Sequence, residues 1–323
     1  MPKLSVRLGY VANALRLPDS SPSHTTTVAM LERLPDVRDR WGRLESLGRL
    51  NLSNTLRILR ENASDGITVY RLTSKLIPLA THPLAEGWDY WVVLQPELRE
   101  IGAFARDRGL RLSAHPDHFT LLNSPRPEVT EASIRDLIYH DRLFTAMGLP
   151  EARLIMHVGG SYRDPETAKA RFLAHFPLVP PGIARRLALE NDDRSFNAAE
   201  VLALCEKTGC PMVLDAHHDK ILPSPSPLQA LLPRIIATWR GERPKFHFSS
   251  PRSDAAPRSH ADYLDTEQIL AFLRMVSGYT RACDVMLEAK AMDLALLRLA
   301  DELRSQPGIE VIRPGEITVH QTY

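Results

Sequence analysis

The 323-residue chain holds only three cysteines, and Cys205, Cys210 and Cys283 show neither metal-binding nor redox spacing. That scarcity argues against a thiolate zinc site and a disulfide scaffold, and a reduced, cytoplasmic setting is expected. No run is long or apolar enough to span a bilayer. The opening Met1-Pro-Lys-Leu-Ser-Val6 lacks the apolar core of a secretion signal. Charge of one sign is missing as well, with 40 Lys and Arg against 39 Asp and Glu and a formal net charge of +1. A nucleic-acid partner would have to be met by a local basic face or by bound metal ions. Gly9-Tyr10-Val11, after the first strand-like run, is not a glycine-rich phosphate loop.

What is present is an alternation of strand-like and helix-like segments. Leu4 to Leu8, Ile67 to Leu72, Leu110 to Ala114, Arg153 to Met156, Arg186 to Leu189, Pro211 to Leu214, Lys245 to Phe248 and Asp284 to Leu287 read as strands. Helices are expected over Asn51–Asn62, Pro96–Arg108, Thr130–Met147, Pro165–Phe176, Asn197–Thr208, Leu228–Trp239, Thr266–Ser277 and Met292–Arg304. Thr130 is a plausible cap, and Gly109, Gly148 and Gly209 are the stops. About eight strands separated by helices fit a single-domain (β/α)8 TIM barrel, an α/β fold. A doubly wound open sheet is the alternative. The barrel is expected over residues 1–306, leaving 307–323 as a tail without a clear role.

Polar residues fall where these strands end. His115, His157, Glu190, Asp215, His247 and Glu288 each close a different apolar run. A closed barrel gathers such ends around one mouth, whereas an open sheet spreads them along a line. Met212-Val-Leu-Asp-Ala-His-His-Asp219 shows the ambiguity of any one of them: Asp215 with His217 and His218 is either a metal pair or a helix cap beside two surface histidines. Together the residues offer imidazoles and carboxylates without thiolate, a donor set suited to manganese, zinc or iron. There are more of them than one ion needs, and carboxylates such as Glu190 and Glu288 can bridge two or three ions for phosphodiester hydrolysis.

With these fragments in hand, the chain resembles the UV-damage endonucleases, relatives of the endonuclease IV-like TIM-barrel nucleases. The resemblance is carried by Leu76-Ile-Pro-Leu-Ala-Thr-His-Pro83, Leu112-Ser-Ala-His-Pro116 and Leu187-Ala-Leu-Glu-Asn-Asp192. Val213-Leu-Asp-Ala-His-His218, Pro244-Lys-Phe-His247 and Met286-Leu-Glu-Ala-Lys290 add to it. It implies three divalent ions, most often Mn2+, with Zn2+, Co2+ or Mg2+ as substitutes. The implied ligands are His82, His115, His157, Glu190, Asp215, His218, His247, His260 and Glu288. Glu190, His218, Glu288 and Lys245 would be the catalytic set, Lys245 standing where the family has a lysine that can be carboxylated.

The resemblance further implies a DNA partner, double-stranded and carrying UV lesions; no obligate protein partner and no membrane are expected. The incision so implied would fall on the 5′ side of cyclobutane pyrimidine dimers and 6-4 photoproducts and leave a 3′-hydroxyl and a 5′-phosphate. His118 and Phe119 occupy the places of a pair commonly Gln-Tyr that the family inserts at the lesion, so His118 departs from the pattern. Tyr10 matches a residue on the other side of the lesion pocket, and Asn13 is near another. Nucleoid association while engaged on DNA is expected. An abasic-site endonuclease, a metal-dependent sugar isomerase on the same barrel and a non-catalytic damage-binding protein remain as alternatives.

Overall fold

The structure is a computed structural model and describes residues 3–320. Its strands are β1 (Lys3–Val11), β2 (Val69–Leu72), β3 (Arg111–Ala114), β4 (Arg153–His157) and β5 (Leu187–Glu190). They continue as β6 (Met212–Asp215), β7 (Lys245–Phe248), β8 (Ala282–Leu287), β9 (Ile309–Arg313) and β10 (Glu316–His320). Strands β1 to β8 pair in parallel in chain order, and β8 returns to β1, so the sheet closes. The expected (β/α)8 barrel is what the chain forms, and the open-sheet alternative falls. No helix among the described residues is long and apolar enough to cross a membrane.

Period-two alternation sorts the strands into two faces. On β1, Leu4, Val6, Leu8 and Tyr10 join the apolar shell between barrel and helices. Arg7, of the opposite phase, points into the lumen, where Asp284 of β8 accepts from Arg7 Nε at 2.7 Å and from Arg111 Nη1 of β3 at 2.6 Å. Ile155, Ala188, Val213 and Trp239 form a separate apolar cluster. The lumen therefore holds an ionic group beside an apolar one, where such barrels are usually filled by branched aliphatics. Gly9 has the lumen phase, and any side chain there would run into the Val69 carbonyl where β1 and β2 cross closely.

Several helix bounds differ from the sequence expectations. The first long helix spans Val37–Ser64 and begins well before Asn51: Asp36 caps it, and Trp41 and Leu44 carry its apolar face back through a largely polar leading half. The helix expected to start at Thr130 starts at Pro127, whose fixed φ suits the first turn; Thr130 is buried inside it. Gly148 ends that helix in the left-handed region at φ 67°. The helix from Leu228 stops at Ala237, which frees Trp239 to bury its ring and donate Nε1–H to the Met212 carbonyl at 2.7 Å.

Of the residues set apart as a tail, Ile309–Arg313 and Glu316–His320 make a hairpin, and 321–323 lie outside the described residues. β10 runs antiparallel to β1 from Lys3↔His320 to Arg7↔Glu316, and β9 pairs with β10. The reason lies in strand length: β2 meets β1 only from Gly9 onward, so the lower half of β1 needs another partner for its backbone groups.

Candidate metal centre and nucleic-acid interface

The C-terminal strand ends converge as alternation requires. His157 ends β4, Glu190 ends β5 and Asp215 ends β6; His247 lies within β7, and His115 and Glu288 directly follow β3 and β8. His157 is the register partner of Glu190, and Asp215 of His247. Glu190 accepts from His247 Nδ1 at 2.8 Å through Oε1, and its Oε2 lies 3.1 Å from His115 Nε2. Two donor sets result, one of His115, His157 and Glu190, the other of Glu190, Asp215, His247 and Glu288. Within each set the ligand atoms lie within 4.8 Å of one another. Glu190 belongs to both.

Asp215 is a helix cap, as one sequence reading has it, although His217 beside it is buried and not a surface histidine. Its Oδ1 caps the short helix Ala216–Ile221, accepting from His217 N at 2.7 Å and His218 N at 2.8 Å. Its Oδ2 is buried without a hydrogen-bond partner. Asn191 fixes the geometry, since its amide exchanges hydrogen bonds with the Asp215 backbone at 2.9 and 3.0 Å. The Asn191 carbonyl lies 2.9 Å from His218 Nδ1, which places that ring 3.8 Å from both Glu190 Oε1 and Asp215 Oδ2. His217 is buried and faces the His260 ring edge-on. His260, on the loop after β7, comes within 3.9 Å of Glu288 Oε2.

The protonation balance of the cluster is set by burial against close opposite charges. Burial pushes the Glu190 carboxyl up, but the charges of His247 and His157 and the bonds from His115 and His247 outweigh it and hold the group well below its usual range. At Glu288 burial is likewise overcome, chiefly by Arg71, and the carboxyl falls to about 2. Burial lowers His157 to about 4, so its ring is a neutral donor at pH 7. Burial also works against a charged His218, yet Asp215 and Glu190 raise it to about 9. His157 Nδ1, Asp215 Oδ2 and His247 Nε2 are buried without hydrogen-bond partners. Such atoms are costly unless something binds them, and neutral imidazole and carboxylate oxygen are ligands for divalent metals. The residues present fit a metal centre.

The mouth above is a cavity of about 510 Å³ bordered by Arg71, Lys75, His118 and His260. Arg71 was missed in the sequence. It pairs with Glu288 and brings positive charge to the rim, and its signal was a charged residue at the lumen phase of Val69-Tyr-Arg-Leu72. His118 and Phe119 are exposed, Phe119 by 71%, with ring centroids 4.0 Å apart.

Other expected residues lie elsewhere. His82 is not gathered with the ring: its Nδ1 accepts from Leu84 N at 3.2 Å, and it borders a neighbouring cavity with Trp91 and Arg142. Lys245 lies one lumen step below His247, fully buried, donating to Ser113 Oγ at 3.0 Å. Burial and the nearby Arg111 lower its amine to about 7. Tyr10, expected in the lesion pocket, points out of the barrel and is 0% exposed, its hydroxyl donating to Asn62 Oδ1 at 2.7 Å. Its outward phase on β1 is the reason. Asn13 is half-buried, with an unpartnered Oδ1.

Comparison with known proteins decides the lineage, because the family model for UV-endonuclease UvdE matches residues 6–320. The chain belongs to the UvdE family. It is 41% identical over 310 residues to the UV DNA damage endonuclease of Bacillus cereus strain B4264, covering 95% of this chain and 97% of that protein. The crystal structure of SacUVDE superposes with a TM-score of 0.82 at 30% identity, covering 93% of this chain and 98% of that one. Endonuclease IV from Thermus thermophilus gives a TM-score of 0.55 at 17% identity, over 93% and 100% of the two chains, a likeness of fold alone. This UvdE-family chain is accordingly an endonuclease.

Proposed function

We propose that this chain nicks duplex DNA immediately 5′ of UV photoproducts by metal-assisted hydrolysis, leaving a 3′-hydroxyl and a 5′-phosphate. The carrying observation is Glu190, a carboxylate common to two donor sets whose other members include His157 and Asp215, each with a buried atom that has no hydrogen-bond partner. Three divalent ions, manganese first among them, would supply Lewis-acid charge and acidify a water there. His115, His157, Glu190, Asp215, His218, His247, His260 and Glu288 would hold them, and His82 could join only by leaving its bond to Leu84. Arg71 and Lys75 on the rim would meet the phosphate backbone and compensate for the near-neutral chain. Lys245, with an amine near 7, has the neutral fraction that carboxylation by carbon dioxide requires. His118 and Phe119 would enter the helix at the lesion, where weakened pairing lowers the cost of unstacking.

The abasic-site and sugar-isomerase readings are less favoured, since endonuclease IV shares only the fold and relatives at 41% identity carry the UV-endonuclease name. The test is incubation with Mn2+ and a duplex bearing one pyrimidine dimer, beside undamaged and abasic duplexes. A nick 5′ of the dimer is expected; a nick confined to the abasic duplex would overturn the reading.

A further inference from the structure

His118 and Phe119 are the two central residues of a β-turn, closed by Thr120 N–H donating to the Asp117 carbonyl at 2.8 Å. Beneath the turn is a cavity of about 470 Å³ bordered by Lys75, Ile77, Ala132 and Tyr139, so the tip has little packing of its own. Its position is inherited from its two feet. One foot is His115, tied to Glu190 in the metal centre. The other is Thr120, whose hydroxyl donates to Asp136 Oδ2 at 2.6 Å on the helix Pro127–Met147. The next residue, Leu121, donates its N–H to Ser133 Oγ at 2.7 Å, one turn earlier on the same helix. Thr120 and Ser133 are both buried. Behind Asp136, the buried His140 places Nε2 at 3.9 Å from Oδ1.

We propose that Asp136, acting through Thr120, is a positioning residue that holds the His118–Phe119 turn at a fixed reach from the metal centre and thereby sets recognition of the lesion. This rests on the endonuclease reading above. A turn with one foot on a ligand of the metal centre and the other on a rigid helix keeps a constant span between the stacking residue and the phosphate to be cut. A charge-assisted bond to a carboxylate is stronger than a neutral one and suits that task. Losing it would leave the ring intact and let the tip wander. The expected cost falls on KM for damaged DNA, with kcat nearly unchanged.

The test is a double-mutant cycle on the full chain with a dimer-bearing duplex and Mn2+. Thr120→Val removes the donor at nearly constant volume, Thr120→Ser restores it, and Asp136→Asn weakens the acceptor from the other side. Thr120→Val should lower kcat/KM about tenfold, through KM, with Thr120→Ser within about twofold of wild type. In a His118→Ala, Phe119→Ala background Thr120→Val should cost almost nothing further, because the residues it positions are gone. A merely structural threonine would show its loss undiminished in that background, which would overturn the inference, as would a Thr120→Val enzyme equal to wild type. If Thr120→Val does not fold, Asp136→Asn carries the same cycle with the same outcomes. A wild type that leaves the dimer duplex uncut fails the endonuclease reading itself; cutting by wild type with additive mutants fails this inference alone.

Discussion

Glu190 Oε1 on β5 and His247 Nδ1 on β7 lie 2.8 Å apart, joined across the intervening β6. Because Oε2 of the same carboxylate reaches His115 at the end of β3, one side chain links three strands of the barrel. A group so placed can be shared between cations, and the buried donors around it lack other partners.

Divalent metal should stabilise the folded chain. At about 100 times Kd, one bound ion adds about 2.7 kcal/mol. Thermal denaturation with Mn2+ against EDTA should show a rise of several degrees that shrinks in His157→Ala. An equal rise in the variant would contradict the ligand role of His157.

Lys245 should cost stability. Its folded amine sits at about 7 against an ordinary value of 10.5, so between those values the unfolded chain binds more protons. Stability of the metal-free protein therefore rises with pH across that window, and the full penalty applies below it. Lys245→Met should remove that slope and raise stability at pH 7 by about 1–3 kcal/mol in urea denaturation, while reducing incision. Destabilisation would contradict this account of the lysine.

Phe119 should matter to DNA and not to folding. At 71% exposure, Phe119→Ala should change stability by less than about 0.5 kcal/mol. Its loss from a stacking contact should weaken binding to dimer-bearing duplex by about 1–3 kcal/mol, measured by fluorescence anisotropy beside urea denaturation. Unchanged affinity would remove it from the interface.

Tyr10 should behave in the opposite way. Tyr10→Phe leaves Asn62 Oδ1 without its donor, at a cost of about 1–2 kcal/mol. Incision per folded molecule should not change; a large loss of kcat would return Tyr10 to the site.

The barrel and most of its ring could be read from the sequence because apolar runs that break at a His, Asp or Glu identify both strand and mouth. The same alternation also spoke against Tyr10, which shares the phase of Leu4, Val6 and Leu8, but a family match outweighed it. His82 sits on a loop where no period fixes direction, and its ring is taken up by Leu84 N. Arg71 lies inside the strand Val69–Leu72 and not at its end, so the strand-end pattern does not single it out. The hairpin Ile309–His320 could not be anticipated, since the need for it arises from the unequal reach of β1 and β2, a long-range fact that local pattern does not encode.

The most direct measurement is the metal dependence of incision at a single pyrimidine dimer by wild type and Glu190→Gln, each stripped with EDTA and then titrated with Mn2+. Stripped wild type should be inactive and regain a nick directly 5′ of the dimer as Mn2+ is added. Glu190→Gln should stay folded by circular dichroism and remain at least about 100-fold slower at every concentration. Full activity in the stripped wild type, or a variant that matches it, would contradict a metal centre organised by Glu190.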